Sequence, residues 1–339
     1  MSDIRANMEA EWRKGPDAVR RQPMELQPAL DELVRCIRRK PPSFVLTCAR
    51  GSSAHAATFG KHLLERHLGI PVGAFAPNVA TIYRQRLKLG GQLFITVSQS
   101  GRSDDLVESV EMAKAAGALT ATILNDTDSP LARASDIVLP MAAGPEHSVA
   151  ATKSFVASLS AWLHLAAAWG DLGELRSAIA RLPDQLAAAM GLDWSAALQA
   201  LCEATSLVSL GRGPTLAIAR EAALKLKETS NFHAEAFSGA EFLHGPIALV
   251  ESSYPALLFM PTDRAAAGLR ALAADLRHKN ANVFMTGEHE ALPALTPDHP
   301  DTDAVCLIQS FYALAISVAR ARGTDVDLPR HLQKVTRTR

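Results

Sequence analysis

The run Phe44-Val-Leu-Thr-Cys-Ala-Arg-Gly51 is apolar and ends in Arg-Gly, and Ser206-Leu-Val-Ser-Leu-Gly-Arg-Gly213 repeats this form 162 residues later. Two further pairs of apolar runs keep the same offset, namely 92–97 with 254–259 and 119–124 with 281–286. One short match can arise by chance, but three matches in a single register indicate that one domain has been duplicated.

Each half alternates short, continuously apolar runs with stretches of helical periodicity, at 54–68 in the first half and 216–228 in the second. This alternation is typical of a parallel sheet covered by helices on both faces. We therefore predict the α/β class, with two tandem three-layer α/β/α domains on parallel, flavodoxin-like sheets. The expected parts are a helical arm at 1–24, domains at 25–185 and 195–325, and a tail at 326–339.

The composition is that of an ordinary globular protein. A length of 339 residues is too great for one hydrophobic core and suits two. Hydrophobic residues make up 48% and charged residues 21% of the chain. The 35 basic residues balance the 35 acidic ones, whereas a general nucleic-acid-binding protein carries a basic excess, so we expect no nucleic-acid partner.

Cysteine usage and the N-terminal residues both predict a cytoplasmic location. The four cysteines are scattered and form no CxxC pair, which disfavours a zinc knuckle or disulfide framework and suits a reducing compartment. Residues 1–13 are polar and lack the apolar core of a secretory signal. The most apolar stretch, 155–169, is too short and too mixed for a membrane span, so we predict a buried helix and no membrane partner.

The segment Val97-Ser-Gln-Ser-Gly-Arg-Ser-Asp-Asp105 follows a predicted strand and precedes a helical stretch that starts near Leu106. Ser98, Ser100 and Ser103 supply hydroxyl groups, and Gly101 allows a tight turn. A helix start adds free N–H groups and the positive end of a dipole, so the loop predicts a phosphate cradle. The residues equally allow a polar loop in which Ser103 or Asp104 caps the helix.

A second hydroxyl cluster, Arg50-Gly-Ser-Ser53, follows the first predicted strand. The patterns GxGxxG and GxxxxGK[ST] are absent, which disfavours dinucleotide and nucleotide phosphate sites. Serine-lined loops suit the phosphate of a sugar, which needs no magnesium, and we expect no cofactor. A third segment, Val149-Ala-Ala-Thr-Lys153, predicts by itself only the start of a helix.

Glu221, Lys225 and Glu228 share one helical face in the second half, where exposed ion pairs are a common alternative. His244 precedes Gly-Pro and is predicted to lie in a turn, as either a structural or a catalytic residue. Aldose–ketose chemistry requires an acid/base for ring opening, a carboxylate that moves a proton between C1 and C2, and a cation. Histidine, glutamate and lysine suit these roles.

A metal site built from His233, Glu235 and His244 is a further possibility for this region. The spacing of the three residues matches no specific zinc-ligand motif. We therefore expect no metal.

Seven segments, taken in order, resemble the sugar isomerase (SIS) domain family, and in particular the isomerase half of glucosamine-6-phosphate synthase. They lie at 50–53, 98–101, 149–153, 223–228, 233–237, 241–246 and 323–330, and so span nearly the whole chain. The phosphate loop, the segment Glu-Phe-Leu-His-Gly-Pro at 241–246 and the tail Lys-Val-Thr-Arg-Thr at 334–338 look most similar to SIS-type glucosamine-6-phosphate deaminases.

The resemblance implies a role for each matching residue. Glu228 would move the proton between C1 and C2, with Lys225 as a neighbouring cation. His244 would open the sugar ring from the neighbouring subunit of a homodimer, and Lys334 would lie over the sugar, where the synthase's matching lysine forms a Schiff base. The sugar phosphate would contact Gly51, Ser52, Ser53, Ser98, Gln99, Ser100, Ser103, Val149, Ala150 and Gln333.

The synthase also carries an N-terminal glutaminase domain whose nucleophile is a cysteine directly after the initiator methionine. Here Ser2 follows Met1, and we expect no release of ammonia from glutamine. The resemblance then implies conversion of glucosamine 6-phosphate to fructose 6-phosphate and ammonia. Alternatives are galactosamine 6-phosphate or fructosamine 6-phosphate as substrate, an aminotransferase-like synthetic direction, and a sensor without turnover, although residues 1–43 are too short for a helix-turn-helix domain.

Overall fold

The computed structural model describes residues 7–334, which form two five-stranded sheets and their covering helices. The strands are β1 Val45–Cys48, β2 Val72–Ala74, β3 Leu93–Ser98, β4 Leu119–Leu124, β5 Ile137–Pro140, β6 Ser206–Gly211, β7 His233–Ser238, β8 Pro255–Phe259, β9 Asn282–Gly287 and β10 Leu292–Pro293. The helices are α1 Asn7–Trp12, α2 Gly15–Arg39, α3 Gly51–Leu68, α4 Asn78–Thr81, α5 Asp104–Ala115, α6 Pro130–Ala134, α7 Lys153–Trp169, α8 Gly173–Ala189, α9 Leu198–Glu203, α10 Thr215–Ser230, α11 Gly239–Phe242, α12 Ala266–His278 and α13 Pro300–Ala321.

The first sheet has the strand order β2-β1-β3-β4-β5, and every neighbouring pair is parallel. All six residues of the central strand β3 are buried, which explains its mostly apolar sequence. This is the predicted flavodoxin-like order. Its topological switch point lies between β1 and β3, where ligands bind beyond the carboxyl ends of the strands.

The second sheet has the order β10-β9-β8-β6-β7, also with parallel pairs. Counted from β6, this order is identical to that of the first sheet. The three pairs of apolar runs separated by 162 residues become β1 with β6, β3 with β8 and β4 with β9. The predicted α/β fold, with two repeated parallel sheets and flanking helices, is confirmed.

The chain forms two compact units, each built on one sheet. The first-sheet unit contains residues 17–146, 153–179 and 333–334, and the second-sheet unit contains residues 7–16, 147–152 and 180–332. These units differ from the predicted tandem ranges, because residues 7–16 belong with the second sheet whereas 17–24 belong with the first. The predicted domain boundaries stay a prediction.

The expected buried helix at 155–169 is confirmed as α7, whose residues 155–163 are all buried. Helix α3 approaches α7 closely at Gly60, where an added Cβ would lie 2.2 Å from the Trp162 ring. Cys48 and Cys306 are buried, as apolar surroundings predict. Among residues 7–334, only α13 has the length and hydropathy of a membrane span, and 78% of its apolar window is buried inside the structure.

Candidate active site

The loop after β3 is closed by hydrogen bonds within itself and by one glycine. Ser98 Oγ accepts from the Gly101 N–H at 3.0 Å, and Ser100 Oγ accepts from the Arg102 N–H at 3.4 Å. Gly101 has φ +63°, and a Cβ there would lie 2.1 Å from Ser129 Oγ. Only glycine therefore fits this position, as the sequence predicts for a tight phosphate-binding turn.

Ser103 occupies the N-cap position of α5, but its side chain makes no capping hydrogen bond. The simpler interpretation, in which the Ser103 hydroxyl serves only as a cap, is therefore wrong. The hydroxyl stays available to a ligand at the start of a helix of 12 residues. The exposed Asp104 follows it, so a bound anion would have to lie on the serine side of this turn.

The loop after β1 meets the loop after β3 at the switch point of the first sheet. The strands are paired directly, with Cys48 opposite Thr96. The Arg50 Nε and Nη2 groups donate to Asp105 Oδ2 at 2.9 and 2.8 Å, which ties the two loops together. Asp105 is 2% exposed, so the guanidinium offsets its negative charge beside the candidate phosphate position.

Gly51, Ser52 and Ser53 form the first turn of α3, and Gly51 has φ +52°. Both serine side chains are half-buried, and within residues 7–334 neither hydroxyl makes a hydrogen bond. The structure thus places these three residues together with Ser98, Gln99, Ser100 and Ser103, at one edge of one sheet. Hydroxyl donors and two helix starts at that edge form a chemically suitable phosphate site.

Val149 and Ala150 lie in the second-sheet unit, in a segment that Glu11 holds. Glu11 is 4% exposed, and its carboxylate accepts from the N–H groups of His147 and Ser148, the latter at 3.1 Å. The Ser148 hydroxyl in turn donates to the Ala150 carbonyl at 3.1 Å. Sequence reasoning missed Glu11, because a single acidic residue in a polar arm carries no signal of its buried partners.

Lys334 lies in the first-sheet unit, with its Nζ 3.6 Å from Glu146 Oε2. The Glu146 side chain is fully buried and also accepts hydrogen bonds from the N–H and hydroxyl of Ser154. Gln333 is exposed. Glu146 is thus a second functional candidate that the sequence did not reveal, since 188 residues separate it from Lys334.

In the second-sheet unit, α10 carries the predicted charged residues. Lys225 Nζ lies 2.5 Å from Glu228 Oε2 and 3.4 Å from Glu221 Oε1. Glu221 and Lys225 are 0% exposed, so the alternative of an exposed ion pair is wrong. The helix packs between strands β6 to β8 and helix α13, which buries this face.

Burial acts to lower the pKa of Lys225, but the charges of Glu228 and Glu221 outweigh it and raise that pKa above its usual range. Lys225 is therefore a permanent cation. The Glu228 side chain is 18% exposed and is the accessible end of this array. A carboxylate held beside a fixed cation can move a proton while the cation stabilises developing negative charge.

His244 is exposed, in the turn between α11 and a short 3₁₀ helix at Pro246–Leu249. Its N–H donates to the Glu241 carbonyl at 3.0 Å. Within residues 7–334 its ring makes no hydrogen bond or ion pair with Glu228 or Lys225. Leu243 and Leu249 beside it are 53% and 58% exposed.

His233 and Glu235 lie on β7, with His233 Nε2 3.9 Å from Glu235 Oε2, and both are exposed. Over the described part of the chain, no group of three or more histidine, cysteine, aspartate or glutamate residues is placed to hold a metal ion.

Comparison with known proteins gives a family and several relatives. The SIS domain family model matches residues 43–168 and 200–288. Glutamine–fructose-6-phosphate aminotransferase (isomerizing) from Caulobacter vibrioides is 33% identical over 309 residues, which cover 84% of this chain and 50% of that protein. The chain therefore spans about half the length of the curated relatives it matches.

Solved structures share the fold over nearly the whole chain. A protein described as a phosphosugar isomerase from Silicibacter pomeroyi is 42% identical with a TM-score of 0.91, covering 95% of this chain and 100% of that one. The C-terminal domain of glucosamine-fructose-6-phosphate aminotransferase from Francisella tularensis is 25% identical with a TM-score of 0.86, covering 96% and 99%.

Glucosamine-6-phosphate deaminase from Thermotoga maritima is 22% identical with a TM-score of 0.75, covering 96% of this chain and 100% of that one, and this is a likeness of fold. The two matches to the family model contain all five strands of the first sheet and four of the second, and together cover more than half of the sequence. This chain therefore belongs to the SIS domain family.

Proposed function

We propose that this protein is an amino sugar phosphate isomerase and deaminase that converts glucosamine 6-phosphate and water to fructose 6-phosphate and ammonia. The observation that carries the proposal is the array on α10, in which a buried lysine cation holds the partly exposed carboxylate of Glu228 at 2.5 Å. Its membership of the SIS domain family and the serine-lined edge of the first sheet support a sugar phosphate as the substrate.

The phosphate is the part of the substrate that the first-sheet unit would hold. Ser52, Ser53 and Ser103 offer hydroxyl groups that make no hydrogen bond within the described range 7–334, and Ser98 and Ser100 shape the turn around Gly101. Val149 and Ala150, in the segment that Glu11 holds, and the exposed Gln333 are further proposed contacts to the substrate.

In the proposed reaction, His244 of a neighbouring subunit donates and accepts the protons of ring opening. Glu228 then removes the proton from C2 of the open-chain aldehyde while the C1 oxygen takes up a proton, which gives an enolamine. Glu228 returns its proton to C1 and the amine nitrogen loses one, so that C1 becomes a CH2OH group and C2 an imine. Water adds to this imine and ammonia leaves, so that fructose 6-phosphate remains. The Lys225 ammonium stabilises the negative charge that develops between the two proton transfers.

A homodimer is part of the proposal, because the ring of His244 makes no hydrogen bond or ion pair with Glu228 among residues 7–334. Exposed Leu243 and Leu249 beside it provide apolar surface for a subunit contact. Lys334 is proposed to lie over the bound sugar, where its amino group could form a Schiff base with the open ketose. We propose a cytoplasmic location on the basis of four free cysteines.

The test is ammonia release from a panel of hexosamine 6-phosphates, measured with purified protein and no glutamine. We expect release from glucosamine 6-phosphate with stoichiometric fructose 6-phosphate. Glu228→Gln should reduce turnover by about 10³-fold and abolish exchange of the C1/C2 proton, while phosphate binding persists. No turnover of any compound, together with tight binding of the sugar phosphates, would contradict the deaminase and favour a sensor.

The synthetic direction is a second candidate, because a relative that is 33% identical is named an aminotransferase. Incubation of fructose 6-phosphate with ammonium or glutamine tests it. Formation of glucosamine 6-phosphate from ammonium alone would show the same chemistry run in reverse. Formation that requires glutamine would overturn the deaminase as the principal activity.

A further inference from the structure

The second sheet has its own cavity at the edge that corresponds to the phosphate loop of the first. Its volume is about 320 Å³, within the range of small-molecule sites. It opens where β8 and β9 end, at Met260 and Thr286, and belongs entirely to the second-sheet unit. Glu221, Lys225 and Glu228 do not line it, so the proposed deaminase chemistry does not use it.

The duplication makes the chemistry of the two edges directly comparable. With the offset of 162 residues, Ser98-Gln-Ser-Gly-Arg102 corresponds to Met260-Pro-Thr-Asp-Arg264. The hydroxyl of Ser98, which closes the phosphate turn, is replaced by a thioether, and Gly101 is replaced by Asp263. A carboxylate now stands where the first loop turns around a phosphate position, so this edge cannot serve the same ligand.

Two threonine hydroxyl groups at the second edge already donate hydrogen bonds to other groups of the protein. Ser53 corresponds to Thr215, whose hydroxyl donates to the Phe259 carbonyl at 2.6 Å. The Thr262 hydroxyl donates to Asp303 Oδ2 at 2.6 Å. Thr286 is 2% exposed and lines the cavity. Its Oγ1 accepts from the Met260 N–H at 2.9 Å, and within residues 7–334 its own proton has no acceptor.

Carboxylates dominate the charge around the cavity. Among the lining residues, all from the described range 7–334, Asp263, Glu288 and Asp303 are acidic and Arg270 is the one basic residue. Asp303 accepts from the Thr262 hydroxyl and from two backbone N–H groups, and Glu288 accepts from the Thr296 hydroxyl at 2.7 Å. Over residues 7–334 neither Asp303 nor Glu288 makes an ion pair, so only neutral donors meet these two charges.

Burial of Asp303 has an electrostatic cost that a cation would offset. Desolvation is the main cause that raises the pKa of its carboxyl group, and the nearby Asp298 adds to it. The remaining surface is apolar, with contributions from Leu192, Leu295 and Leu307. An apolar cavity with a negative rim fits a compact organic cation and disfavours an anion.

We propose that this cavity is a second ligand site, which binds a small ring-sized molecule that carries an ammonium group and no phosphate. The two edges of the duplicated fold then have separate ligands: a sugar phosphate on the serine edge of the first sheet and an organic ammonium compound on the carboxylate edge of the second. The proposal depends on the cavity and its charges and is independent of the proposed deaminase activity.

Titration calorimetry on the full chain tests this with three probes of one shape: cyclohexylmethylamine, cyclohexylmethanol and cyclohexanecarboxylate. The amine should bind about tenfold more tightly than the alcohol, since each partly exposed carboxylate adds a modest attraction to the ammonium group. The carboxylate should bind most weakly. An alcohol that binds as tightly as the amine, or no binding of any probe, would overturn the proposal.

Three variants locate the site. Glu288→Gln keeps an acceptor for Thr296 and removes the charge, so the amine should weaken about threefold or more while the alcohol is unchanged. Arg270→Met removes the one basic residue among the described residues that line the cavity, and should strengthen binding of the amine. Ala266→Phe fills the cavity and should abolish binding of amine and alcohol alike.

Binding of inorganic phosphate serves as the matched control and should not change in any of these variants, because the proposed phosphate site lies in the first-sheet unit and the substituted residues lie in the second. The folded state of Ala266→Phe is checked by its melting temperature. If that variant does not fold, the opposite effects of Glu288→Gln and Arg270→Met decide the question alone. Amine affinity that is indifferent to both charge changes would place the bound probe elsewhere.

Discussion

The loops that follow β3 and β8 occupy equivalent places in two copies of one fold, yet they differ in what they can bind. At the first sheet, Gly101 turns with φ +63° and the Ser103 hydroxyl is left without a capping bond. At the second, Asp263 takes the place of the glycine, and Thr262 donates to Asp303. Duplication has kept the strand order and changed the side chains at the edge where ligands bind.

This difference shows how two copies of one fold can carry different functional groups. The first unit keeps the polar turn, whereas the second contributes a charged helix, α10, whose lysine and glutamates are buried or nearly so. A phosphate site needs hydroxyl and N–H donors, whereas proton transfer between carbon atoms needs a carboxylate held beside a fixed cation. The first unit contains such donors in its serine loops, and the second contains such a carboxylate in Glu228.

The largest effect on stability should come from the buried lysine of the second unit. Lys225→Met removes the cation and leaves Glu221 fully buried without it, at a cost of about 3–5 kcal/mol in the free energy of unfolding. Urea unfolding measures this. Lys61→Met is the control in the first unit, since its pair with Glu65 at 3.7 Å is exposed and should contribute less than about 1 kcal/mol.

Equal losses of unfolding free energy in the two variants would show that Lys225 contributes no more to stability than the exposed Lys61. The contrast in charge burial between the two units would then have no energetic consequence.

A smaller loss should follow from Gly101→Ala in the first unit. The alanine would have to adopt φ +63°, and its Cβ would lie 2.1 Å from Ser129 Oγ and 2.7 Å from Ser129 Cβ, so side-chain rotation alone cannot relieve the contact. We expect about 2–4 kcal/mol of destabilisation and weaker binding of phosphate by more than tenfold.

Gly69→Ala separates the cost of a positive φ from the cost of a steric contact. Gly69 has φ +65°, but an added Cβ would have nothing within 4 Å. This variant should lose about 1–2 kcal/mol and keep full phosphate affinity, as measured by thermal unfolding and calorimetry. Undiminished phosphate binding in Gly101→Ala would remove the loop after β3 from the site.

The smallest effect should be that of Ser103→Ala. The hydroxyl makes no capping bond, so stability should change by less than about 0.5 kcal/mol while phosphate affinity falls about threefold to tenfold. Ser238→Ala in the second unit is the reverse case, because Ser238 Oγ accepts from the Glu241 N–H at 3.2 Å and caps α11.

Ser238→Ala should lose about 0.5–2 kcal/mol of stability without loss of phosphate affinity. Should Ser103→Ala prove to be the destabilising variant of the two, its hydroxyl would be a structural cap after all.

The sequence was sufficient for the architecture, because the repeat of three apolar runs at one offset fixes both sheets and their central strands. It was also sufficient for the position of the serine loops, since residues that directly follow neighbouring parallel strands meet at one edge. These inferences depend on local patterns, and the structure confirms them at β1, β3, β6 and β8.

The burial of charged residues could not be inferred in this way. Glu221 and Lys225 have the spacing of a surface ion pair, and only the packing of α10 against α13 and the sheet distinguishes the two cases. Glu11 and Glu146 escaped notice because their partners are distant in the chain, as with Glu11 and His147 at a separation of 136 residues. Helical period and local spacing carry no information on such contacts.

The carboxylate of Glu11 has a practical consequence for anyone who shortens this protein. The polar segment before α2 looks dispensable, but removal of residues 1–14 would withdraw the acceptor of two backbone N–H groups at His147 and Ser148. The same truncation would remove the buried side chains of Met8 and Trp12, and with Trp12 its two hydrogen bonds to Gln309 of α13. We therefore expect the truncated protein to be less stable, with a loosened 149–150 segment and a raised KM. An affinity tag is therefore better added ahead of Met1 than exchanged for the first helix.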